Sequence, residues 1–373
     1  MDRTSTDGSR IYTVRLYTQP MKGVVLAGGY GTRLRPLTVT RPKQLLPVAN
    51  RPVLAYAIEG LLAAGVDELG VVVGGTHSDA VRSHLTDCVY DAPIAIIDQG
   101  EPRGLAHAVG CAESFVDGEP FVVAFGDTLL ADDTVATVVD QFDPTRSPLF
   151  LPLQPVDNPS RFGIVEFDNG QPVAVCEKPT SPPSGVAYMG VVGLGPAVFD
   201  CIAELEPSSR GELELTAAID TLLDRESHCQ WQLFDGRWID VGTPEDLLAA
   251  NKAVLADLVD HNSTKTDPGA STHDSQDGAV VVGSGVRIDP ASTLIGPVVI
   301  ADDVHITGCS QIGPFVSVAD GCRIEDATLQ RTVLLDDVSV SGVDLRDSIL
   351  GARAIVDSLE RPARLVVGDD SVI

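Results

Sequence analysis

Residues 23–48 read GVVLAGGYGTRLRPLTVTRPKQLLPV, an apolar run that leads directly into a loop rich in glycine and positive charge. The run is apolar nearly throughout, which is typical of a strand buried on both faces of a sheet. Gly28, Gly29 and Gly31 allow backbone N–H groups to approach an anion closely. Arg33 adds a rigid fork of donors. The stretch therefore indicates an anion site at the end of a buried strand.

The loop departs from two common phosphate-binding motifs. A P-loop has lysine directly after its last glycine, whereas Lys43 lies 12 residues beyond Gly31. A dinucleotide fingerprint has a third glycine where this chain has Leu34. A loop that only turned the chain would require neither Arg33 nor Lys43. Because the whole chain holds only five lysines, we interpret the loop as an anion site, with a purely structural turn as the alternative.

From residue 21 to about residue 260, short apolar runs alternate with helical patterns. Four runs have the composition of buried strands: residues 23–27, 69–74, 94–98 and 121–125. This alternation predicts a doubly wound, mostly parallel, Rossmann-like α/β sheet with helices on both faces, in which ligands bind beyond the carboxyl ends of the strands. Residues 162–168 and 172–179 flank an Asn-Gly turn and predict a hairpin, which we expect to form part of a lid beside the sheet.

Beyond residue 280 the hydrophobic period changes to six. Eight apolar residues repeat at this spacing without a miss: Val282, Ile288, Leu294, Ile300, Ile306, Ile312, Val318 and Ile324. Small or β-branched residues stand two positions before each of them. Neither a helix nor a simple strand has this period, whereas a parallel β-helix with three short sides per coil does. The register slips at Gln330, although apolar runs continue to the last residues.

Composition narrows the class of protein. The chain has 53 acidic and 26 basic residues and a net charge of −27, which disfavours nucleic acid and anionic membranes as partners. No apolar run approaches the ~20 residues of a membrane-spanning helix. The seven cysteines are scattered and form no CxxC pair. This pattern favours a reducing, cytoplasmic location over a disulfide framework or a zinc site.

The glycine-rich stretch resembles the signature of the sugar-1-phosphate nucleotidylyltransferases, a GGxGTRLxPLT loop followed by a proline-lysine pair. Within that family the chain is similar to the long glucose-1-phosphate thymidylyltransferases, which carry a C-terminal β-helix. The similarity continues through QGEPRGLAHA (99–108), FGDT (125–128), EKP (177–179), RGELELT (210–216), DVGTPEDLLAAN (240–251) and LVVGDDSVI (365–373). It covers nearly all of the chain from residue 21 onward.

The resemblance implies a domain organisation. Residues 21–258 would form the nucleotidyltransferase catalytic domain, and residues 280–373 a left-handed parallel β-helix of hexapeptide repeats. Polar, aperiodic residues 259–279 are expected to be a linker, and residues 1–20 a disordered extension. We expect the β-helix to support a homo-oligomer, since its stacked sides would offer flat apolar surface for symmetric contacts.

The resemblance also implies a reaction between a nucleoside triphosphate and a sugar-1-phosphate. A sugar phosphate oxygen would attack the α-phosphorus of dTTP or UTP, with pyrophosphate as the leaving group. Such transfers require mainly positioning and charge neutralisation from the protein. The implied catalytic residues are Arg33, Lys43 and Lys178. The implied nucleotide-binding residues are Leu26, Gly28, Gly29, Gly31, Thr32, Gln99 and Gly104, with Gln99 at the pyrimidine edge and Gly104 under the base.

The resemblance assigns Asp127 and Asp240 as ligands of Mg²⁺. Each follows an apolar or aromatic strand, and hard carboxylate oxygens suit that ion. It assigns Gly163, Glu177 and Lys178 to the sugar phosphate. An isolated Glu-Lys pair at a strand end would ordinarily be a surface salt bridge, which stays open as the alternative.

Some positions depart from the family pattern. Thr128 and Val241 follow the two aspartates, where relatives frequently carry Asn and Thr. Tyr188 and Val192 occupy the sugar-pocket segment, where relatives often carry a small residue and an aromatic one. The sequence therefore leaves open the identity of the sugar, with glucose-1-phosphate expected, and the choice between dTTP and UTP.

Two other functions stay open at this point. A bifunctional uridylyltransferase and acyltransferase acting on amino-sugar phosphates would need a histidine in a groove between coils. His305 is the one histidine of the repeat region, and it precedes inward Ile306, so we expect it to face outward. A non-catalytic regulatory relative would be expected to lose the charged residues of the site, and these are present.

The acid-rich composition predicts a fold adapted to high salt, where screening weakens the self-repulsion of the negative charge. We expect the melting temperature to fall when KCl is lowered from about 2 M to about 0.05 M, since the Debye length then grows several-fold. Thermal unfolding over a KCl series measures this. A melting temperature independent of KCl would indicate an ordinary acidic protein.

Overall fold

The computed structural model describes residues 21–226, 229–260, 271–275, 278–359 and 362–373. The extension predicted over residues 1–20 lies outside these ranges, as do residues 261–270 of the predicted linker.

The α-helices within the described ranges all precede residue 261. They are α1 (Val53–Ala63), α2 (Ser78–Asp87), α3 (Leu105–Cys111), α4 (Glu113–Val116), α5 (Asp132–Gln141), α6 (Ala197–Ala203), α7 (Leu215–Arg225) and α8 (Pro244–Asp260). In the described part of the chain, none of the helices has the length and apolar character needed to cross a membrane.

The strands before α8 build one large sheet and two short ladders. They are β1 (Lys22–Ala27), β2 (Pro47–Val48), β3 (Arg51–Pro52), β4 (Glu68–Gly74), β5 (Ile94–Gly100), β6 (Phe121–Phe125), β7 (Thr128–Leu130), β8 (Leu149–Pro155), β9 (Gly163–Asp168), β10 (Gln171–Glu177), β11 (Val186–Tyr188), β12 (Val191–Leu194), β13 (Gln230–Leu233) and β14 (Trp238–Asp240). The large sheet has the order β10-β9-β11-β8-β12-β6-β1-β4-β5, with β13 beside β8. The short ladders are β2-β3 and β7-β14.

The four strands that the apolar runs predict form the parallel centre of the large sheet, β6-β1-β4-β5. Side chains of β1 alternate between the two faces. Val24 and Leu26 enter one apolar core with α3, α6 and α7, and Val25 and Ala27 enter another with α1, α2 and α5. The doubly wound arrangement is therefore confirmed. The ladders from β6 through β12 to β10 are antiparallel, so the sheet is mixed.

The predicted hairpin is present as β9 and β10. The hairpin does not form a separate lid, because β9 also pairs with β11 and β10 thereby becomes an edge strand of the large sheet. Helix α7 covers the hairpin, and Asp220 Oδ1 accepts a hydrogen bond from Val175 N at 2.9 Å.

The strands after α8 form a parallel β-helix with three sides, as predicted, of the left-handed class. They are β15 (Ser271–Ser275), β16 (Gly278–Val282), β17 (Arg287–Ile288), β18 (Thr293–Leu294), β19 (Val298–Ile300), β20 (His305–Thr307), β21 (Gln311–Ile312), β22 (Val316–Val318), β23 (Arg323–Glu325), β24 (Thr328–Gln330), β25 (Val333–Leu334), β26 (Ser339–Ser341), β27 (Asp344–Arg346), β28 (Ile349–Leu350), β29 (Ile355–Asp357) and β30 (Val366–Val367). Strand β15 lies in the segment predicted as a linker and pairs antiparallel with β16. The division of the chain at residues 258 and 280 stays a prediction.

The register slip in the hexapeptide pattern marks a change in coil length. Ile306 pairs with Ile324, 18 residues further on, whereas Ile324 pairs with Val340, 16 residues further on. On the next side, Leu329 takes the position that pairs with Ile312. The inward stack therefore continues without a break while the coils become shorter.

The three sides of the β-helix present different outward surfaces. The side that contains β20 and β23 is polar, with half-buried His305 and exposed Arg323 directly paired in the ladder. The side that contains β22, β25 and β28 packs inside the chain, where Ser317, Val333 and Ile349 are fully buried. One of the stacked sides that were expected to offer apolar surface for self-association therefore packs against the α/β part of the same chain. The homo-oligomer stays a prediction.

An apolar cluster joins the β-helix to the loop that follows β1. Leu34 and Leu37 of the loop are fully buried in one cluster with Leu335 and Ile349 of the β-helix. The glycine-rich loop is therefore packed against both halves of the chain.

Asn251 of α8 connects the α/β part of the chain to the β-helix through hydrogen bonds. It is 1% exposed, and its Oδ1 accepts hydrogen bonds from Ala49 N at 2.8 Å and Ser317 Oγ at 2.7 Å. Asn251→Ala would leave both donors without this acceptor, so we expect it to lower the free energy of unfolding by about 2 kcal/mol.

Ser317→Ala is the matched control, because it removes one donor and leaves the Asn251 to Ala49 contact in place. We expect it to cost about 1 kcal/mol or less. Urea unfolding followed by circular dichroism measures both variants. Equal unfolding midpoints for Asn251→Ala and the wild type would contradict this account of the junction.

Candidate active site

The glycine-rich loop leaves β1 at the carboxyl edge of the sheet and is held by uncharged polar side chains. Gln44 donates from Nε2 to Gly28 O at 2.7 Å, and Thr38 donates from Oγ1 to Gly31 O at 2.7 Å. Gly29 and Gly31 have φ angles of 99° and 58°, in the region that favours glycine. The backbone of the glycine-rich loop is therefore fixed by hydrogen bonds from side chains further along the chain. Sequence analysis missed Gln44 and Thr38, since neither carries a charge that stands out.

Lys43 brings positive charge to the two predicted metal ligands. It begins a 3₁₀ turn at Lys43–Leu45 and forms an ion pair with Asp127, which follows β6. Asp240 ends β14 and is paired with Thr128, the residue after Asp127. Asp127 O also accepts a hydrogen bond from Val241 N at 2.9 Å. The two carboxylates are thus held side by side by the short β7-β14 ladder.

Arg33 belongs to the same cluster. Its guanidinium lies against Gly242, where an added Cβ would come 2.7 Å from Nη2. Glycine at position 242 therefore leaves space for the arginine. The charge of Arg33 acts on both Lys43 and Asp240.

The pKa values in this cluster show its charge balance. Burial and repulsion from Asp127 raise the pKa of Asp240 to about 6, against the opposing attraction of Lys43 and Arg33. Burial lowers the pKa of Lys43, but attraction and hydrogen bonding to Asp127 outweigh it, so the pKa is raised overall. Lys43 and Arg33 together therefore do not fully offset the effect of burial and of Asp127 on Asp240. An additional cation would be electrostatically favoured here.

Gln99, near the end of β5, lies beside the glycine-rich loop. Its side chain is 7% exposed. Nε2 donates to Gly104 O at 3.2 Å and lies 3.3 Å from His107 Nδ1. A Cβ added to Gly28 would lie 2.3 Å from Gln99 Oε1. Gly104 has φ 112°, and a Cβ there would lie 2.4 Å from Leu213 O. The packing alone therefore requires glycine at position 104, and its placement under a base stays a prediction.

A second charged cluster surrounds the end of β10. Glu177 Oε1 lies 2.9 Å from Lys178 Nζ and accepts a hydrogen bond from Arg210 Nη2 at 3.2 Å. Glu214 accepts hydrogen bonds from Arg210 Nε at 3.1 Å and Nη2 at 2.7 Å. Ser208 Oγ donates to Glu214 at 2.7 Å. Arg210 and Glu214 belong to the RGELELT segment, to which sequence analysis assigned no role. In that segment charged residues alternate with uncharged ones, and this pattern is the signal that could have indicated a role.

Tyr188 lies between the two charged clusters. Its ring covers Gly163, where an added Cβ would lie 2.3 Å from Cε1. It also packs edge-on against Phe125, two residues before Asp127, at a centroid distance of 6.4 Å. Burial, together with the charge of Glu177, raises the pKa of the Tyr188 hydroxyl. Tyr188 therefore contacts the predicted sugar-phosphate residue Gly163 and also Phe125, which lies in the strand that leads to Asp127.

Two predicted nucleotide-binding residues contribute in different ways. Leu26 is 4% exposed and packs in the core, and its carbonyl accepts a hydrogen bond from Gly126 N at 3.0 Å. Thr32 is exposed and begins the 3₁₀ turn at Thr32–Leu34. Only Thr32 has a side chain available to a ligand.

A fixed glycine-rich loop beside paired carboxylates and cations, on a doubly wound sheet, is suited to enzymes that transfer a phosphorus-centred group. The fold and site therefore define an α/β transferase acting on phosphorylated ligands. The family model for nucleotidyl transferases matches residues 22–257, and the chain belongs to that family.

Similarity to individual proteins extends beyond the catalytic domain. The chain is 40% identical to the low-salt glycan biosynthesis nucleotidyltransferase Agl11 of Haloferax volcanii, over 94% of this chain and 99% of that protein. It is 38% identical to glucose-1-phosphate thymidylyltransferase of Streptomyces antibioticus, over 95% and 99% of the two chains. A crystal structure from Bacillus anthracis, described as a glucose-1-phosphate thymidylyltransferase with bound sucrose, superposes with a TM-score of 0.58 at 34% identity, covering 62% of this chain and 94% of that one.

Nucleotidyltransferases of this family generally use a divalent metal ion. Asp127 and Asp240 supply hard oxygen donors suited to such an ion. Within the described ranges, no group of three or more His, Cys, Asp and Glu side chains is placed to hold a metal.

The raised pKa of Asp240 predicts that the stability of the metal-free protein depends on pH. An acid with a higher pKa in the folded state binds its proton more tightly there, so stability is lost as pH rises through the folded value. Asp240→Asn removes a negative charge that burial and Asp127 disfavour. In this variant Asp127 remains as a partner for Lys43 and Arg33.

We expect metal-free Asp240→Asn to melt a few degrees above the wild type at pH 7 and close to it at pH 4. Thermal unfolding in EDTA across this range measures the difference. A pH-independent offset, or a less stable variant at pH 7, would contradict the charge balance described.

Proposed function

We propose that the protein transfers a nucleotidyl group from dTTP or UTP to a hexose-1-phosphate, with glucose-1-phosphate the expected sugar, and releases pyrophosphate. The observation that carries the proposal is the Asp127 and Asp240 pair beside Lys43 and Arg33, next to the glycine-rich loop. The full-length similarity to a glucose-1-phosphate thymidylyltransferase supports the same chemistry.

The proposed reaction is a direct displacement. A sugar phosphate oxygen forms a bond to the α-phosphorus, and the bond from that phosphorus to the bridging oxygen breaks, so pyrophosphate leaves with the electron pair. Arg33 and the loop amides are proposed to bind the leaving group. Lys43, which pairs with Asp127 in the protein alone, is proposed to bind the triphosphate and to stabilise the negative charge that develops on it.

The proposed cofactor is Mg²⁺, bound by Asp127 and Asp240. When bound, it would neutralise charge on the phosphate oxygens and orient them for in-line attack. The chemistry of the donor set supports this assignment, because two carboxylates and several free coordination positions suit an ion that retains water and phosphate ligands.

The base and the sugar are proposed to bind on opposite sides of this cluster. The Gln99 amide can pair with the N–H and carbonyl that uracil and thymine share, so it does not discriminate between dTTP and UTP. Glu177 is proposed to accept hydrogen bonds from sugar hydroxyls, and Lys178 to bind the sugar phosphate. Arg210 would then hold Glu177 in place, as its contact with that carboxylate suggests. We further propose a cytoplasmic location and a homo-oligomeric assembly.

Substitution of the metal ligands tests the proposal. Asp127→Asn and Asp240→Asn should each lower kcat by about 100-fold or more, and Lys43→Gln by about 100-fold, since each removes charge stabilisation of the transferring group. Asp200→Asn, on the exposed face of α6, is the control and should retain wild-type turnover.

The assay is pyrophosphate release in the presence of Mg²⁺, run over a grid of dTTP, UTP, CTP, ATP and GTP against several sugar-1-phosphates. Turnover by the wild type confined to purine triphosphates would overturn the pyrimidine assignment. Full activity in both aspartate variants would overturn the metal assignment.

A further inference from the structure

The last coil of the β-helix contacts the segment that leads to Lys43. Asp369 Oδ2 accepts hydrogen bonds from Thr40 Oγ1 at 2.7 Å and from Arg41 Nη2 at 3.0 Å. The Asp369 side chain is only 5% exposed, and that of Arg41 is 21% exposed. A charge-assisted contact of this kind is shielded from water and salt more than an ordinary surface pair.

The second oxygen of the same carboxylate is fixed by the β-helix. Asp369 Oδ1 accepts a hydrogen bond from Ala352 N at 2.8 Å, in the preceding coil. The neighbouring residue, Gly368, is so close to the loop that an added Cβ would lie 3.1 Å from Pro36 O. The Asp369 carboxylate therefore connects the β-helix to the loop, since Oδ1 is bound by the β-helix and Oδ2 by the loop.

Thr38 and Gln44 hold the two ends of this segment through Gly31 O and Gly28 O, and Pro42 within it is buried. Val39 is 59% exposed. Among the described residues, the side-chain hydrogen bonds made by positions 39–42 all go to Asp369. The next residue, Lys43, forms the ion pair with Asp127. Lys43 thus follows Thr40 and Arg41, the two residues that contact Asp369, by three and two positions.

We infer that Asp369 is a positioning residue for the nucleotide site, acting through Thr40 and Arg41 on Lys43. The inference rests on the proposed function, and it assigns a role in turnover to the LVVGDDSVI terminus. The β-helix is then part of the catalytic apparatus as well as a scaffold. Small displacements of a catalytic cation by a remote change are costly, since alignment contributes strongly to rate.

The chain supplies a matched control in the adjacent carboxylate. Asp370 pairs with Arg353 at 2.6 and 2.7 Å, and both are more than half exposed. Asp370→Asn therefore removes an ion pair from the same coil without touching the loop. Asp369→Asn keeps the side-chain shape and an acceptor for Ala352 N, but loses the charge that holds Arg41.

Hydrogen exchange measured by mass spectrometry on the full chain tests the inference without any assay of activity. In Asp369→Asn the amides of residues 37–46 should exchange about 10-fold or more faster than in the wild type, because local opening becomes easier. Asp370→Asn should leave that segment unchanged. Equal protection of residues 37–46 in both variants would overturn the inference, whether or not the protein proves to be a nucleotidyltransferase.

Kinetics supply the second readout. Asp369→Asn should lower kcat/KM for the triphosphate by about 10-fold to 100-fold, with the KM for the sugar phosphate and the kinetics of Asp370→Asn unchanged. Arg41→Gln breaks the same contact from the loop side and should reproduce the effect, and the double variant should be no worse than either single one. Independent, additive losses would show that the contact does not act as a unit. An inactive wild type would contradict the proposed function and leave the exchange result to decide the inference.

Discussion

The ion pair between Lys43 and Asp127 is the contact on which the arrangement of the site depends. It connects the loop after β1 to the turn after β6, and the β7-β14 ladder adds Asp240 beside it. Lysine is scarce in this chain, and one of the five stands where two carboxylates converge. Burial and repulsion from Asp127 raise the pKa of Asp240, against the attraction of Lys43 and Arg33. An additional cation would therefore be electrostatically favoured beside these two carboxylates.

The sequence predicts the elements of the fold well because its patterns are local. The parallel centre of the sheet follows from four apolar runs, and the β-helix follows from the six-residue period, including Ile306 and Ile312 as stacked inward residues. The hairpin is also predicted, but its place in the sheet is not, because the pairing of β9 with β11 is a tertiary choice. Coil shortening after Ile324 is visible only as a loss of register.

The site residues are harder to predict where their role depends on distant partners. Lys43 and the two aspartates stand out because charge next to apolar strands is conspicuous. Gln44 and Asp369 do not stand out, although Gln44 holds Gly28 and Asp369 lies 328 residues from its partner Arg41. No pattern in a single sequence encodes such a contact.

Some of the acidic residues also have a structural role, which the net charge of the chain does not show. Several aspartates in the β-helix accept backbone hydrogen bonds from the coil before them. Asp302 Oδ1 accepts from Ser284 N at 2.6 Å, and Asp320 Oδ1 accepts from Asp302 N at 2.8 Å. These carboxylates couple one coil to the next, so the acid content reflects coil geometry as well as solvation.

The long helix α8 runs along the side of the β-helix, and its length fits the stack. Near its start Glu245 pairs with Arg364 in the last coil, Asn251 meets Ser317 in the middle, and the helix also contacts β16 in the first coil. Its 17 residues span roughly 25 Å, and the five steps between the six parallel strands of that side span about 24 Å. The length of α8 therefore matches the number of coils in the β-helix. A lineage that gained one coil would have to lengthen the helix by about three residues, nearly one turn, to keep both ends in contact.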